Sequence, residues 1–307
     1  MKRIWVGTAG WSYDDWAGIV YPEPRGPGFH PLPFLARYID IVEINSTFYR
    51  PATEAMAASW VRKVDGFPDF LFAVKVHRSF THERVAAPAE AAAFLRAIGP
   101  LIAARRLAAL LLQFPWSFVR SVENEAYLEA LFRLFTGQPL ALEIRHSSWN
   151  DQSFFEFLRD RRVAFCNIDQ PVIGKSIGPT AVFTRPDFSY IRLHGRNAQN
   201  WFKEGAGRDA RYDYLYAKDE LGDWVRRIRD LAGSSDRVYV ITNNHYRGQA
   251  LANALQIKNM VSGEKLEVPA GLLKQYPLLE EIVKRIRAGQ FNLFDESSDG
   301  PSKNGAE

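Results

Sequence analysis

A TIM-like (β/α)8 parallel barrel is the fold this chain predicts. Eight short apolar runs recur along its 307 residues, and each ends in a polar or charged residue. Segments with helical spacing separate most of these runs, the alternation expected of βα units on a parallel sheet. No dinucleotide-type glycine fingerprint follows the first run, since Gly7-Thr8-Ala9-Gly10 lacks the third glycine. Eight strands without that fingerprint favour closure over an open sheet. Closure would bring all eight strand ends to one rim, where such barrels carry their sites.

The runs follow in order. Ile4-Gly7 leads to Thr8, and Ile41-Ile44 holds Glu43 and leads to Asn45. Leu71-Val76 carries Lys75 and delivers His77, and Ala109-Leu112 delivers Gln113. Leu140-Ile144 carries Glu143 before Arg145, and Ala164-Ile168 leads to Asp169. Tyr190-Leu193 carries Arg192 before His194, and Val238-Thr242 leads to Asn243 and Asn244. Helical patterns fall at Phe34-Tyr38, Ala55-Val64, Ala89-Ala104, Glu123-Phe135, Phe154-Asp160, Asp219-Leu231 and Gly248-Met260. In the last of these, Ala250, Leu251, Ala254, Leu255 and Ile257 form one apolar face. The connection between the seventh and eighth runs is long, polar and aromatic. It carries Trp201, Arg208, Arg211, Tyr212 and Tyr214, as a lid or substrate clamp would.

Composition narrows the class. At 47% hydrophobic and 24% charged, the chain is that of an ordinary globular protein. Residues 1–289 read as one barrel domain, and 290–307 as a flexible polar tail. The net charge of +4 is compatible with an anionic substrate or nucleic acid without requiring either. Cys166 is the only cysteine, which rules out an internal disulfide and fits a reducing cytoplasm. The N-terminus enters a strand-like run directly, with no signal-peptide core. The longest apolar stretch, near Leu107-Leu112, is much shorter than the roughly 20 residues a membrane helix needs. Gly174-Lys175-Ser176 is not the end of a phosphate-binding loop, because Asp169 stands where its first glycine belongs.

A set of ordered motifs resembles the YecE-like family, known as domain of unknown function 72. It begins with Gly7-Thr8-Ala9-Gly10-Trp11-Ser12-Tyr13 and Val42-Glu43-Ile44-Asn45-Ser46-Thr47-Phe48-Tyr49. It continues through Phe72-Ala73-Val74-Lys75, Leu112-Gln113-Phe114-Pro115 and Ala141-Leu142-Glu143-Ile144-Arg145-His146. Arg192-Leu193-His194-Gly195-Arg196 and Asn243-Asn244 complete it, so the resemblance runs from Gly7 to about Met260. Ala9 stands where serine is common and Thr242 where an aromatic is common. The resemblance implies a TIM-type barrel and no particular reaction.

The residues at the strand ends suggest chemistry directly. Glu43 and Glu143 could meet across the mouth for acid/base work, or hold a divalent metal. The competing arrangement pairs each with Arg145, Arg192 or Lys75. His77, His82, His146 and His194 add nitrogen donors, although no tight H-E-x-x-H pair fixes a metal geometry. His194 is the best general-base candidate. Lys75 would form a Schiff base if its pKa were lowered. Arg145 and Arg192 would bind phosphate or carboxylate. Trp11, Tyr13 and Tyr49 offer rings for stacking, and Asn45, Gln113, Asp169, Asn243 and Asn244 offer orienting hydrogen bonds.

These residues suggest an enzyme, a hydrolase or isomerase, acting on a phosphorylated or nucleic-acid-derived substrate, with a divalent metal open as cofactor. One alternative is a sugar isomerase or hydrolase. Another is a non-catalytic binding module recruited through the tail. Gln290-Phe291-Asn292-Leu293-Phe294 resembles the peptide by which bacterial proteins dock on the DNA sliding clamp. Gln290, Leu293 and Phe294 would make the contacts; otherwise the same apolar residues would fold back on the barrel base.

Overall fold

The computed structural model describes residues 4–284, apart from 86, 202 and 204–207. Eight parallel strands, β1 (Ile4–Ala9), β2 (Ile41–Ile44), β3 (Leu71–Lys75), β4 (Leu107–Gln113), β5 (Leu140–Glu143), β6 (Ala164–Asp169), β7 (Ser189–Leu193) and β8 (Val238–Thr242), close into one barrel. β8 pairs with β1 from Ile4↔Val238 to Thr8↔Thr242, which seals the ring. All eight expected strands are present and in the expected order. The candidate clamp peptide with Gln290, Leu293 and Phe294 lies outside the described residues.

The helices form where sequence and caps agree. Thr53, Ser121 and Asp151 accept the first backbone N–H groups of Glu54–Lys63, Val122–Leu134 and Gln152–Asp160. In Lys218–Ser234, Leu221, Trp224, Val225, Ile228 and Leu231 make one buried stripe at helical spacing. Helix Gln249–Ser262 stops at Gly263, whose φ of 74° suits a residue without Cβ. The stretch expected as one helix over Ala89-Ala104 is two, Pro88–Ala97 and Gly99–Ala103. Pro100 lies in the first turn of the second, where its missing N–H does no harm.

No helix crosses from β6 to β7. Pro171, Gly174, Gly178, Pro179 and Pro186 make residues 170–188 a poor helix former. Side chains hold this coil against β6 instead. Asn167 Oδ1 accepts from Val182 N at 2.7 Å and from the Thr180 hydroxyl at 2.8 Å. Phe165 N donates to Thr184 Oγ1 at 2.8 Å.

The register decides what points inward. Arg192 of β7 bonds Glu43 of β2 and Glu143 of β5, strands that are not neighbours, so all three side chains must face the barrel interior. In-register partners share a face, which places Lys75, Gln113 and Cys166 inside as well. Glu43 sits between Ala9 and Ala73, and these two small residues leave room for the Arg192 guanidinium.

Candidate functional site

A cavity of 460 Å³ opens at the C-terminal rim. It is lined by Tyr13, Asn45, Tyr49, Lys75, Gln113, Arg145, Arg192, Arg211, Tyr212, Asn243 and His245. Below it lies a buried ionic layer. Arg192 Nη2 donates to Glu43 Oε1 at 2.6 Å, and its Nη1 donates to Glu143 Oε2. Tyr190 donates its hydroxyl to Glu43 Oε2 at 2.9 Å, and Arg145 Nε donates to Glu143 Oε1 at 3.0 Å. Both carboxylates are fully buried and Arg192 is only 2% exposed. Burial pushes the Glu143 carboxyl up. Arg192, His194 and Arg145 together outweigh that effect and hold it well below the usual range.

Glu43 and Glu143, the expected acid/base pair or metal ligands, are both engaged in this layer. Their oxygens are occupied by guanidinium and hydroxyl groups, and neither residue reaches the cavity lining. Among the described residues, no group of three or more His, Cys, Asp or Glu is placed to hold a metal ion.

His194, the expected general base, is not among the residues that line the cavity. It is fully buried, with Nε2 3.3 Å from Glu143 Oε1 and Nδ1 2.9 Å from Asn243 Nδ2. A ring nitrogen facing a carboxylate carries the proton, so Nδ1 is left as acceptor for the Asn243 amide. Burial drives its pKa down to about 3 despite Glu143. The imidazole stays neutral and holds the Asn243 amide through Nδ1, while Nε2 faces Glu143 without a hydrogen bond among the described residues. His77 and His146 have local roles too: Nδ1 of each accepts a backbone N–H, from Ser79 and Ser148, at the start of a short helical turn.

Three further expected contact residues lie elsewhere. Asp169 accepts from Arg196 Nη2 at 2.8 Å and from Trp224 Nε1 at 2.6 Å, which ties the β7 end to helix Lys218–Ser234. Asn244 donates to Tyr214 O at 2.7 Å and to Asn253 Oδ1 at 2.8 Å, strapping the long β7–β8 connection to the barrel. Trp11 packs edge-on against Trp60, with ring centroids 6.1 Å apart. None of the three lines the cavity.

The other expected residues do line it. Lys75 sits over Phe48, its Nζ 3.8 Å from the ring centroid, and forms no ion pair among the described residues. Burial first, and then Arg192, lowers its ammonium pKa to about 7. Thr47 Oγ1 donates to the Lys75 carbonyl at 2.6 Å and fixes the strand end. Asn45 Oδ1 and Arg192 Nε are buried with no hydrogen-bond partner among the described residues. Arg211 and Tyr212 come from the β7–β8 connection, as a clamp requires. His245, stacked on Tyr13 at 4.4 Å, escaped the sequence reading. It directly continues the strand-end run Thr242-Asn243-Asn244, so its position was the available signal.

Fold and site together define a (β/α)8-barrel protein with a cationic cavity at its C-terminal rim. Residues 5–276 match the family described as "Protein of unknown function DUF72", and the chain belongs to this family. It is 30% identical over 275 residues to the UPF0759 protein YunF of Bacillus subtilis (strain 168), covering 85% of this chain and 95% of that one. A solved DUF72 family protein of Thermotoga maritima MSB8 superposes with a TM-score of 0.75 at 37% identity, covering 85% of this chain and 99% of the other. One from Enterococcus faecalis V583 gives 0.74 at 26% identity, covering 87% and 98%. Among the described residues, no helix is long and apolar enough to cross a membrane.

Proposed function

We propose that this protein is an enzyme that takes a small anionic substrate, phosphorylated or nucleic-acid-derived, into the rim cavity. One observation carries the reading: the charged groups lining the cavity are Lys75, Arg145, Arg192 and Arg211, with no carboxylate among them. The charges of Glu43 and Glu143 are balanced beneath by Arg192 and Arg145. Lys75 and Arg211 are left without a carboxylate partner among the described residues. Guanidinium forks suit phosphate and carboxylate oxygens. The sugar-hydrolase alternative needs a pair of available carboxylates, and this pair is locked in the ionic layer.

Thermal unfolding with inorganic phosphate, pyrophosphate and a mononucleotide tests the reading. A ligand at a hundred times its Kd adds about 2.7 kcal/mol, which reads as a clear rise in Tm. Arg211→Ala is expected to weaken binding about tenfold, the loss of one charge-assisted hydrogen-bonding group. No rise with any of the three anions would refute an anion site.

Recruitment to the DNA sliding clamp rests on the sequence of the tail, and we propose it on that basis alone. The full chain is expected to bind purified bacterial clamp, and Phe294→Ala to abolish that binding. Equal binding by parent and variant would remove the tail from the account.

A further inference from the structure

We propose that Lys75 is a covalent amine, forming an imine with the aldehyde or ketone carbonyl of a substrate that also carries a phosphate or carboxylate. The inference rests on the anion-binding reading above and narrows its substrate class.

The geometry separates Lys75 from an ordinary salt-bridging lysine. It stands at the C-terminal end of β3, inside the barrel and in the cavity lining. The carboxylates that face it, Glu43 from β2 and Glu143 from β5, are already engaged by Arg192 and Arg145. The other charged groups acting on it are those same two arginines, and Lys75 in turn disfavours protonation of nearby His82. Its Nζ is covered on one side by Phe48. The Phe48 face by itself favours the ammonium, but burial beside two guanidinium groups, with no ion pair among the described residues, outweighs it and favours the neutral, nucleophilic form. Nearby, Arg192 Nε is a buried N–H donor with no acceptor among the described residues, and Asn45 Oδ1 a buried acceptor with no donor. The first can stabilise charge building on a carbonyl oxygen, and the second can accept a hydrogen bond from a hydroxyl or an iminium N–H. Arg211, which lines the cavity and has no carboxylate partner among the described residues, remains for the anionic end of the substrate.

The step balances without any oxidant or reductant. The Nζ lone pair attacks the carbonyl carbon, and the π pair moves to oxygen. That oxygen takes a proton from the nitrogen, giving a carbinolamine. A proton from a buffer acid in the open cavity then lets that oxygen leave as water, and the nitrogen lone pair closes to C=N⁺, with the buffer left as its conjugate base. Water added later to the C=N bond regenerates the amine and releases a carbonyl compound.

Reductive trapping tests this on the full chain. Borohydride is added with dihydroxyacetone phosphate, pyruvate or glyoxylate, and the product is read by intact mass and peptide mapping. We expect one reduced adduct per chain, on Lys75, forming at least about tenfold faster than on surface lysines because more of the amine is neutral. It should be slowed by inorganic phosphate and absent from Lys75→Arg and Lys75→Met, whose folding is checked by circular dichroism. Failure of all three probes to label Lys75 ahead of the surface lysines overturns the proposal. Thermal shift by phosphate, measured on the same samples, separates the two failures. A shift without an adduct leaves the anion site and removes the imine; neither signal removes both.

Discussion

Arg192→Leu is expected to lose much of its folded population at neutral pH. Arg192 bridges Glu43 and Glu143 inside the barrel, and all three are almost completely buried. Removing one partner of a buried ion pair typically costs about 3–5 kcal/mol, because the remaining charge is uncompensated. Two carboxylates share this arginine, against a total stability of roughly 5–15 kcal/mol for a typical domain. Arg192→Lys should recover little, since a single ammonium cannot fork between two carboxylates.

The pH dependence gives this prediction its sign. In the parent, Glu143 has a lowered folded-state pKa. Its stabilisation is therefore fully present above the unfolded carboxyl pKa and is lost as pH falls through the folded one. In Arg192→Leu, Glu143 would keep Arg145 but lose Arg192, first among the groups that hold its carboxyl down. Less of that stabilisation would then be left to lose as pH falls. Acidification from neutral pH into the carboxylate range should thus weaken the parent more than the variant. Urea titrations at several pH values would show the steeper slope in the parent. Parallel slopes, or a variant as stable as the parent at neutral pH, would mean that the ionic layer does not hold the barrel together.

Gly7→Ala is expected to damage the barrel wall as severely. A Cβ at Gly7 would lie 1.6 Å from the Ile41 carbonyl oxygen, a backbone atom that cannot swing aside. β1 and β2 would have to separate at the Gly7↔Ile41 pair. Overpacking usually costs about 1–3 kcal/mol, and a clash with backbone belongs at or beyond the top of that range. The effect would also reach the site. Glu43 lies one register pair beyond Val42, opposite Ala9, so moving β2 outward pulls Glu43 away from Arg192. The urea midpoint should fall, and phosphate affinity should fall with it. An unchanged midpoint would show that the β1–β2 seam can open without penalty.

The barrel was legible because its signals are local. Each strand is a short apolar run, the longer helices have an apolar period and several begin at a capping side chain, and alternation implies parallel pairing. The break at Gly99-Pro100 and the bare β6–β7 crossover follow from glycine and proline placement. Seven of the ten expected contact residues line the cavity, from Tyr13 to Asn243, because a parallel barrel puts every strand's last residues on one rim. Trp11, Asp169 and Asn244 lie outside it because a rim position does not specify which way a side chain turns.

The sequence alone determined the eight strands, their closure and the cationic character of the residues at the rim. Tertiary structure alone decided the pairings. Arg192 meets Glu143 across 49 residues and Glu43 across 149, and Tyr190 meets Glu43 across 147. No local period records such contacts, because they depend on which inward-facing side chains share a level in the closed barrel. That same geometry engaged Glu43 and Glu143 with guanidinium groups, set a neutral His194 beside Glu143 and Asn243, and left Lys75 with no ion pair among the described residues. The physical reason is that charge in a low-dielectric interior is set by its nearest partners, and only the closed fold chooses those partners.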